Sequence, residues 1–423
     1  MKRLLWALMV VAIVVAMSIG VVAADQPHKG TTIRVIMSNH PWTDAIRPLI
    51  PDFEEATGIK VQVESFFADQ LSQKLLVEFA SGTSTIDVFL QRPLQEAKQF
   101  QQNGWYADLQ PFAAADPDID LDDFFPSALL AETVDGALTG IPIVTEQEII
   151  YYRKDLFEEA GIKVPTTTEE LEEAANFFND PANGFFGFVA RGQRSPAVTQ
   201  FSSFLYSFGG NFDVSGQATL NTPEAIAAFT FYGNMLRNYG PPGVLNMSWP
   251  QALAIFAQGN AAMYTDASVF YSNMLDPEQS EVGELVGFAQ FPAGPAGSHP
   301  YSIVSWGISM AQTSKNKAAA WEFIKWATSK ENTLRAQYSQ VPSARTSAWE
   351  NPEGVANFPS QLVEVIMASS EGSMPYDRPN VIGVGEARDV VGTVIVTAIE
   401  GGDVSGAANR ANRDYQAILD REK

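Results

Sequence analysis

The sequence predicts an α/β protein of two lobes. Three observations carry that expectation: a length of 423 residues, strand and helix patterns alternating from Thr32 to Leu90, and the same alternation resuming after residue 184. One hydrophobic core stops growing near about 250–300 residues, so a chain of this size divides. A hydrophobic content of 46% excludes a disordered chain.

The amino terminus reads as a secretory signal. Met1-Lys2-Arg3 places two positive charges ahead of the apolar run Leu4 to Val22, which ends in Ala23-Ala24. Cleavage after Ala23 or Ala24 leaves the polar start Asp25-Gln26-Pro27. The alternative is an uncleaved anchor, since the run approaches the roughly 18 residues that span a bilayer. With no Cys in the chain, a lipid-modified amino-terminal cysteine is excluded, and a periplasmic or released protein fits best. Removing Lys2 and Arg3 leaves 25 basic against 49 acidic residues, a net charge of −24. Nucleic acid and anionic lipid are therefore poor partners, and the charge reads as a device for solubility in a monomer.

Thr32 to Met37 is a β-branched strand, followed by the loop Ser38 to Trp42 and a helical pattern that Thr57-Gly58 stops. Ile59 to Val63 alternates as a second strand, Gln70 to Ala80 has helical spacing, and Ile86 to Leu90 is a third strand. This order implies a parallel sheet. Ligands of open parallel sheets sit beyond the carboxyl ends of the strands, which marks the loops Ser38 to Trp42 and Gln91 to Pro93.

Gly140 to Tyr152 is a long extended segment with Glu146 and Glu148 on one side at period two. Charges in its middle suit a connection between lobes better than a core strand. Lys154 to Ala160 is a helix closed by Gly161, and Thr166 to Glu170 opens another. Gly184 to Ala190 is a strand leading into the polar loop Arg191 to Pro196, then an aromatic helix from Phe201 to Phe208. A helix from Thr222 to Leu236, a short helix from Trp249 to Phe256 and the strand Ala261 to Thr265 complete a second α/β lobe. Ser302 to Met310 is extended, Lys315 to Ser329 is a helix whose Trp321 and Trp326 face the core, and the chain beyond Val381 is mostly helical.

Several segments carry a resemblance: Phe53 to Val61, Gly140-Ile-Pro142, Tyr151 to Phe157, Ala252 to Met263 with Phe256-Ala-Gln-Gly259, and Ala319 to Trp326. The chain resembles the family 1 extracellular solute-binding proteins of ABC importers, the maltose-binding-protein-like sugar-binding proteins. The resemblance implies a two-lobe clamp with no cofactor, serving the transmembrane permease subunits of an importer. It implies three crossings, near Val144, Ile303 and Pro342, which divide the chain into 30–144 plus 304–342 and 145–303 plus 343–423.

A sugar site combines planar hydrogen-bonding groups with aromatic faces. By position in the resemblance, Glu146 is the foremost candidate, with Gln147 beside it. Asn39, His40 and Trp42 follow the first strand, and Gln91 and Arg92 the third. Arg191, Gln193 and Arg194 lie in the second-lobe loop, and Arg378 in Met374 to Pro379. Asp266 stands where relatives carry Asp or Asn followed by Gly, here Ala267. The aromatic expected nearby falls on Val269, so Trp306 or Trp249 is the replacement. Arg345 lies near the third crossing. Three cleft arginines would favour a ligand bearing carboxylate, phosphate or sulfate.

A secreted hydrolase or lyase is the rival, needing two acids that flank the scissile bond, for which Glu146 and Asp266 are the available pair. Gly307-Ile-Ser-Met-Ala311 lacks the last glycine of a nucleophile elbow. The three histidines, His28, His40 and His299, are far apart, which gives metal or Ser-His chemistry little material.

Overall fold

The computed structural model describes residues 26–370 and 372–422. The expected signal peptide lies outside the described residues. Among them, no helix is long and apolar enough to cross a membrane.

Among the described residues, twelve strands occur in chain order. The first lobe begins with β1 (Thr32–Ser38), β2 (Lys60–Phe66) and β3 (Val88–Gln91), followed by a small hairpin of β4 (Thr133–Val134) and β5 (Ala137–Leu138). The crossing strand β6 (Ile141–Arg153) leads to β7 (Phe186–Val189), a second hairpin of β8 (Asp213–Val214) and β9 (Gln217–Ala218), then β10 (Ala261–Ala267), β11 (Val286–Gln290) and β12 (Ser302–Met310). The main sheet runs β2-β1-β3-β12-β6-β10-β7, with β11 also on β6. Pairs β1/β2, β1/β3 and β10/β7 are parallel, while β12 and β6 run antiparallel to their neighbours.

The long strand β6 belongs to both lobes. Its first half, Ile141 to Gln147, pairs with β12 in the first-lobe sheet; its second half, Glu148 to Arg153, pairs with β10 and β11 in the second. Ile303 lies opposite Glu146 and Val304 opposite Thr145. Val144 also bridges Ser343, and the Thr145 hydroxyl donates to the Ser343 carbonyl at 2.9 Å. Three chain segments thus meet side by side between the lobes.

Local sequence explains the flanking helices. His40 caps Pro41–Ile46, Gly58 ends Ile50–Thr57 at φ 72°, and Gly161 ends Lys154–Ala160 at φ 66°, a conformation that glycine adopts without a Cβ clash. Thr167 and Thr222 cap Thr168–Phe178 and Pro223–Tyr239 through their hydroxyls. Trp321 packs in the core as its spacing predicts. Each fully buried Leu, Ile or Phe of these helices contributes about 1.5–3 kcal/mol.

Candidate ligand-binding site

The carboxyl ends of the strands of both lobes face one another across the crossing strands. From the first lobe come Asn39 and His40 after β1, Arg92 and Gln95 after β3, and Trp306 on β12. From the second come Arg191 after β7, Asp266 on β10, and the segment Met374 to Arg378. That segment is pinned to β12, since Met374 N donates to the Pro300 carbonyl at 2.8 Å and Ser302 N to the Met374 carbonyl at 2.7 Å.

Two arginine–carboxylate pairs dominate the second-lobe wall. Arg191 grips Asp266 through Nε at 3.0 Å and Nη2 at 2.5 Å. Asp266 is fully buried and also accepts from Gln200 Nε2 at 2.7 Å, the Tyr264 hydroxyl at 2.7 Å and its neighbour Ala267 N at 2.8 Å. Burial works against the Arg191 charge, and Asp266 outweighs it, so the guanidinium stays cationic. Arg378 grips Asp377 through Nε and Nη2, both at 2.5 Å, while the Thr199 hydroxyl donates to Asp377 at 2.8 Å. Burial pushes the Asp377 carboxyl up, but Arg378 and Arg388 more than offset it and hold it below its ordinary range.

Glu146 differs from both aspartates. It lies on the crossing strand and forms no ion pair among the described residues. Burial raises its carboxyl above the ordinary range, against a hydrogen bond from Ser305. Glu148, on the same side, is buried between the hydroxyls of Ser203 and Thr265 and is raised further. Gln147 points to the opposite face, buried, with no hydrogen-bond partner for its amide among the described residues.

On the first-lobe wall the His40 and Trp306 rings lie 5.6 Å apart at 52°. His40 Nδ1 accepts from Trp42 N at 3.1 Å, and burial lowers its pKa to about 4, so the ring is neutral. Arg378 Nη1 reaches across to Gln95 Oε1 at 3.1 Å. Arg92 donates to the Ser72 hydroxyl at 2.8 Å and lies along Glu96.

Several residues expected at the cleft are engaged elsewhere. Trp42 is 2% exposed and belongs to the first-lobe core, because the helix begins at Pro41 and turns residue 42 inward. Gln91 is wholly buried, donating to Glu132 at 2.7 Å and accepting from the Tyr106 hydroxyl at 3.3 Å. Gln193 and Arg194 are exposed, and Arg194 pairs with Asp389 at 2.7 Å. Arg345 is 1% exposed, bonding the carbonyls of Thr328, Ile119 and Asp120 and the Asp123 carboxylate. It fastens the segment after the third crossing to the first lobe. Trp249 is 41% exposed and stacks on Phe270 at 5.0 Å and 15°, which puts an aromatic pair next to Val269.

The sequence reading missed Gln95, Thr199, Gln200, Tyr264 and Asp377. A signal existed for two of them: Thr199 and Gln200, with Ser202 and Ser203, are polar residues on the apolar helix Ala197–Ser207, and all four are buried.

A two-lobe α/β clamp with arginine–carboxylate pairs, a lone acid and aromatic rings converging between its lobes is the architecture of a small-solute receptor. Residues 39–334 match the bacterial extracellular solute-binding proteins, and the chain belongs to that family. It is 33% identical to a mannitol-binding protein of Pseudomonas aeruginosa over 68% of this chain and 64% of the relative, so it spans a little under two thirds of that protein's length. It is 28% identical to an erythritol/L-threitol-binding protein of Mycolicibacterium smegmatis, over 73% of this chain and 68% of the relative. A solute-binding protein from Agrobacterium radiobacter, solved with ribitol, superposes with a TM-score of 0.75 at 30% identity, covering 92% of this chain and 99% of that one.

Proposed function

We propose that the protein captures a neutral acyclic polyol between its lobes and delivers it to the permease of an ABC importer, as an exported monomer freed of its signal peptide. The observation that carries this reading is the pairing of Arg191 with Asp266 and of Arg378 with Asp377 around the unpaired Glu146. Guanidiniums already neutralised by bidentate carboxylates offer outward hydrogen bonds without net positive charge. An anionic ligand therefore finds no free cation in either pair, which turns the three-arginine argument toward a neutral solute.

A polyol presents hydroxyls that each donate and accept, and the pairs and Glu146 supply both. The His40 and Trp306 rings offer apolar faces to its C–H groups. Relatives that bind mannitol, erythritol or L-threitol, and ribitol support the same class. Asp266 is saturated by its donors, so it has no free lone pair with which to act as nucleophile or base, which favours binding over hydrolysis. The lobes are 30–144 plus 304–342 and 145–303 plus 343–423, with residues through Trp349 packed back on the first lobe by Arg345; the hinge is the triple crossing.

Isothermal titration with D-mannitol, ribitol, erythritol, maltose and mannonate tests the proposal. Tight binding of a polyol without turnover supports it. Preference for mannonate, or consumption of a carbohydrate, overturns it.

A further inference from the structure

Glu146 is the acid that the paired-arginine arrangement leaves over. The groups that act on it are Arg191 after β7, Asp266 on β10, Asp377 and Arg378 from the pinned segment, and the Ser305 hydroxyl on β12. Arg191 and Arg378 each have a bidentate carboxylate partner. Arg388 lies beyond Asp377, held by the Ser195 carbonyl and the Thr199 hydroxyl. Both neighbouring aspartates repel a third negative charge, and Glu148, two residues on, is buried without a cation of its own.

Glu146 is half-buried in this structure. A polyol lying over it removes the solvent that remains. A carboxylate stripped of water, with both nearby guanidiniums already paired to aspartates, is costly, whereas a carboxylic acid there donates one hydrogen bond and accepts another, which matches a hydroxyl's own capacity. We propose that Glu146 enters the loaded cleft as a neutral carboxylic acid, so that capture of a neutral polyol takes up a proton. This rests on the polyol reading above.

The test is titration of wild type with D-mannitol, ribitol and erythritol from about pH 5 to about pH 9, in buffers of different ionisation enthalpy. The expected result is uptake of up to about one proton and an affinity that falls as pH rises, by no more than about tenfold per unit. In Glu146→Gln, shown folded by its melting curve, the uptake and the pH dependence disappear whatever its absolute affinity. A polyol that binds without proton uptake, or uptake that persists in Glu146→Gln, overturns the coupling and leaves the polyol reading standing. If none of the three binds, the polyol reading falls and the coupling with it.

Discussion

Arg378 joins the two lobes directly: its Nη1 donates to Gln95 Oε1 at 3.1 Å, while Nε and Nη2 stay on Asp377. The bond exists only when the turn after β3 and the Met374–Arg378 segment approach each other, so it favours the closed clamp over the open one.

Gln95→Ala should therefore weaken ligand binding with little change in stability. A charge-assisted hydrogen bond at an exposed position is worth about 1 kcal/mol, which is roughly a fivefold loss of affinity. Calorimetry gives the affinity, and small-angle scattering should show a larger radius of gyration for the variant without ligand. Unchanged affinity and radius would remove Gln95 from the closure.

Asp266→Asn leaves Arg191 buried without its counter-charge. Breaking one side of a buried pair costs about 3–5 kcal/mol, so the urea midpoint should drop substantially. A variant as stable as wild type would show that solvent, not Asp266, compensates Arg191.

Glu132 lies wholly buried under β12 and β6, with Gln91 Nε2 as its donor, and burial pushes its carboxyl up to about 8. The folded value exceeds the ordinary 4.5, so the protonated form stabilises the fold. That stability is complete below pH 4.5 and is lost as pH rises to about 8. The loss approaches on the order of 5 kcal/mol at about 1.4 kcal/mol per unit. Denaturation of Glu132→Gln across this range should show a flatter profile, with the variant more stable than wild type on the alkaline side.

Gly307 faces the same carboxyl so closely that a Cβ would lie 1.7 Å from Glu132 Oε1. Gly307→Ala must displace Glu132 or bend β12. Overpacking of this kind costs about 1–3 kcal/mol, read as a lower melting temperature, and because β12 also carries Trp306 the affinity should fall as well.

Arg345→Met should lower the melting temperature and leave the affinity of the folded protein unchanged, because the guanidinium serves Asp123 and three backbone carbonyls and faces no cleft residue. A change in affinity measured well below the melting temperature would return Arg345 to the binding site.

Strands and helices were readable wherever local signals agree. Ser302–Met310 and Lys154–Ala160 follow the sequence pattern residue for residue, because alternation and a terminal glycine are properties of a few neighbouring residues. Positions beside the crossing strands were readable at some strand ends, as at His40, Arg191 and Asp266, but not at Gln91, which ends β3 and is wholly buried. They were misread where an extra turn intervenes. Trp42 lies two residues past His40, but the helix that begins at Pro41 turns it into the core.

The sequence by itself determined two α/β lobes, the charged crossing strand and the residue types available to a cleft, since periodicity, chain length and composition are local or additive quantities. Only the tertiary structure decided which charges are spent on one another. Arg191 finds Asp266 across 75 residues, and Arg345 finds Asp123 across 222. Such partners are set by the packing of whole elements, and whether an arginine serves a ligand, a carboxylate or a carbonyl depends on which acceptor that packing brings within hydrogen-bond reach.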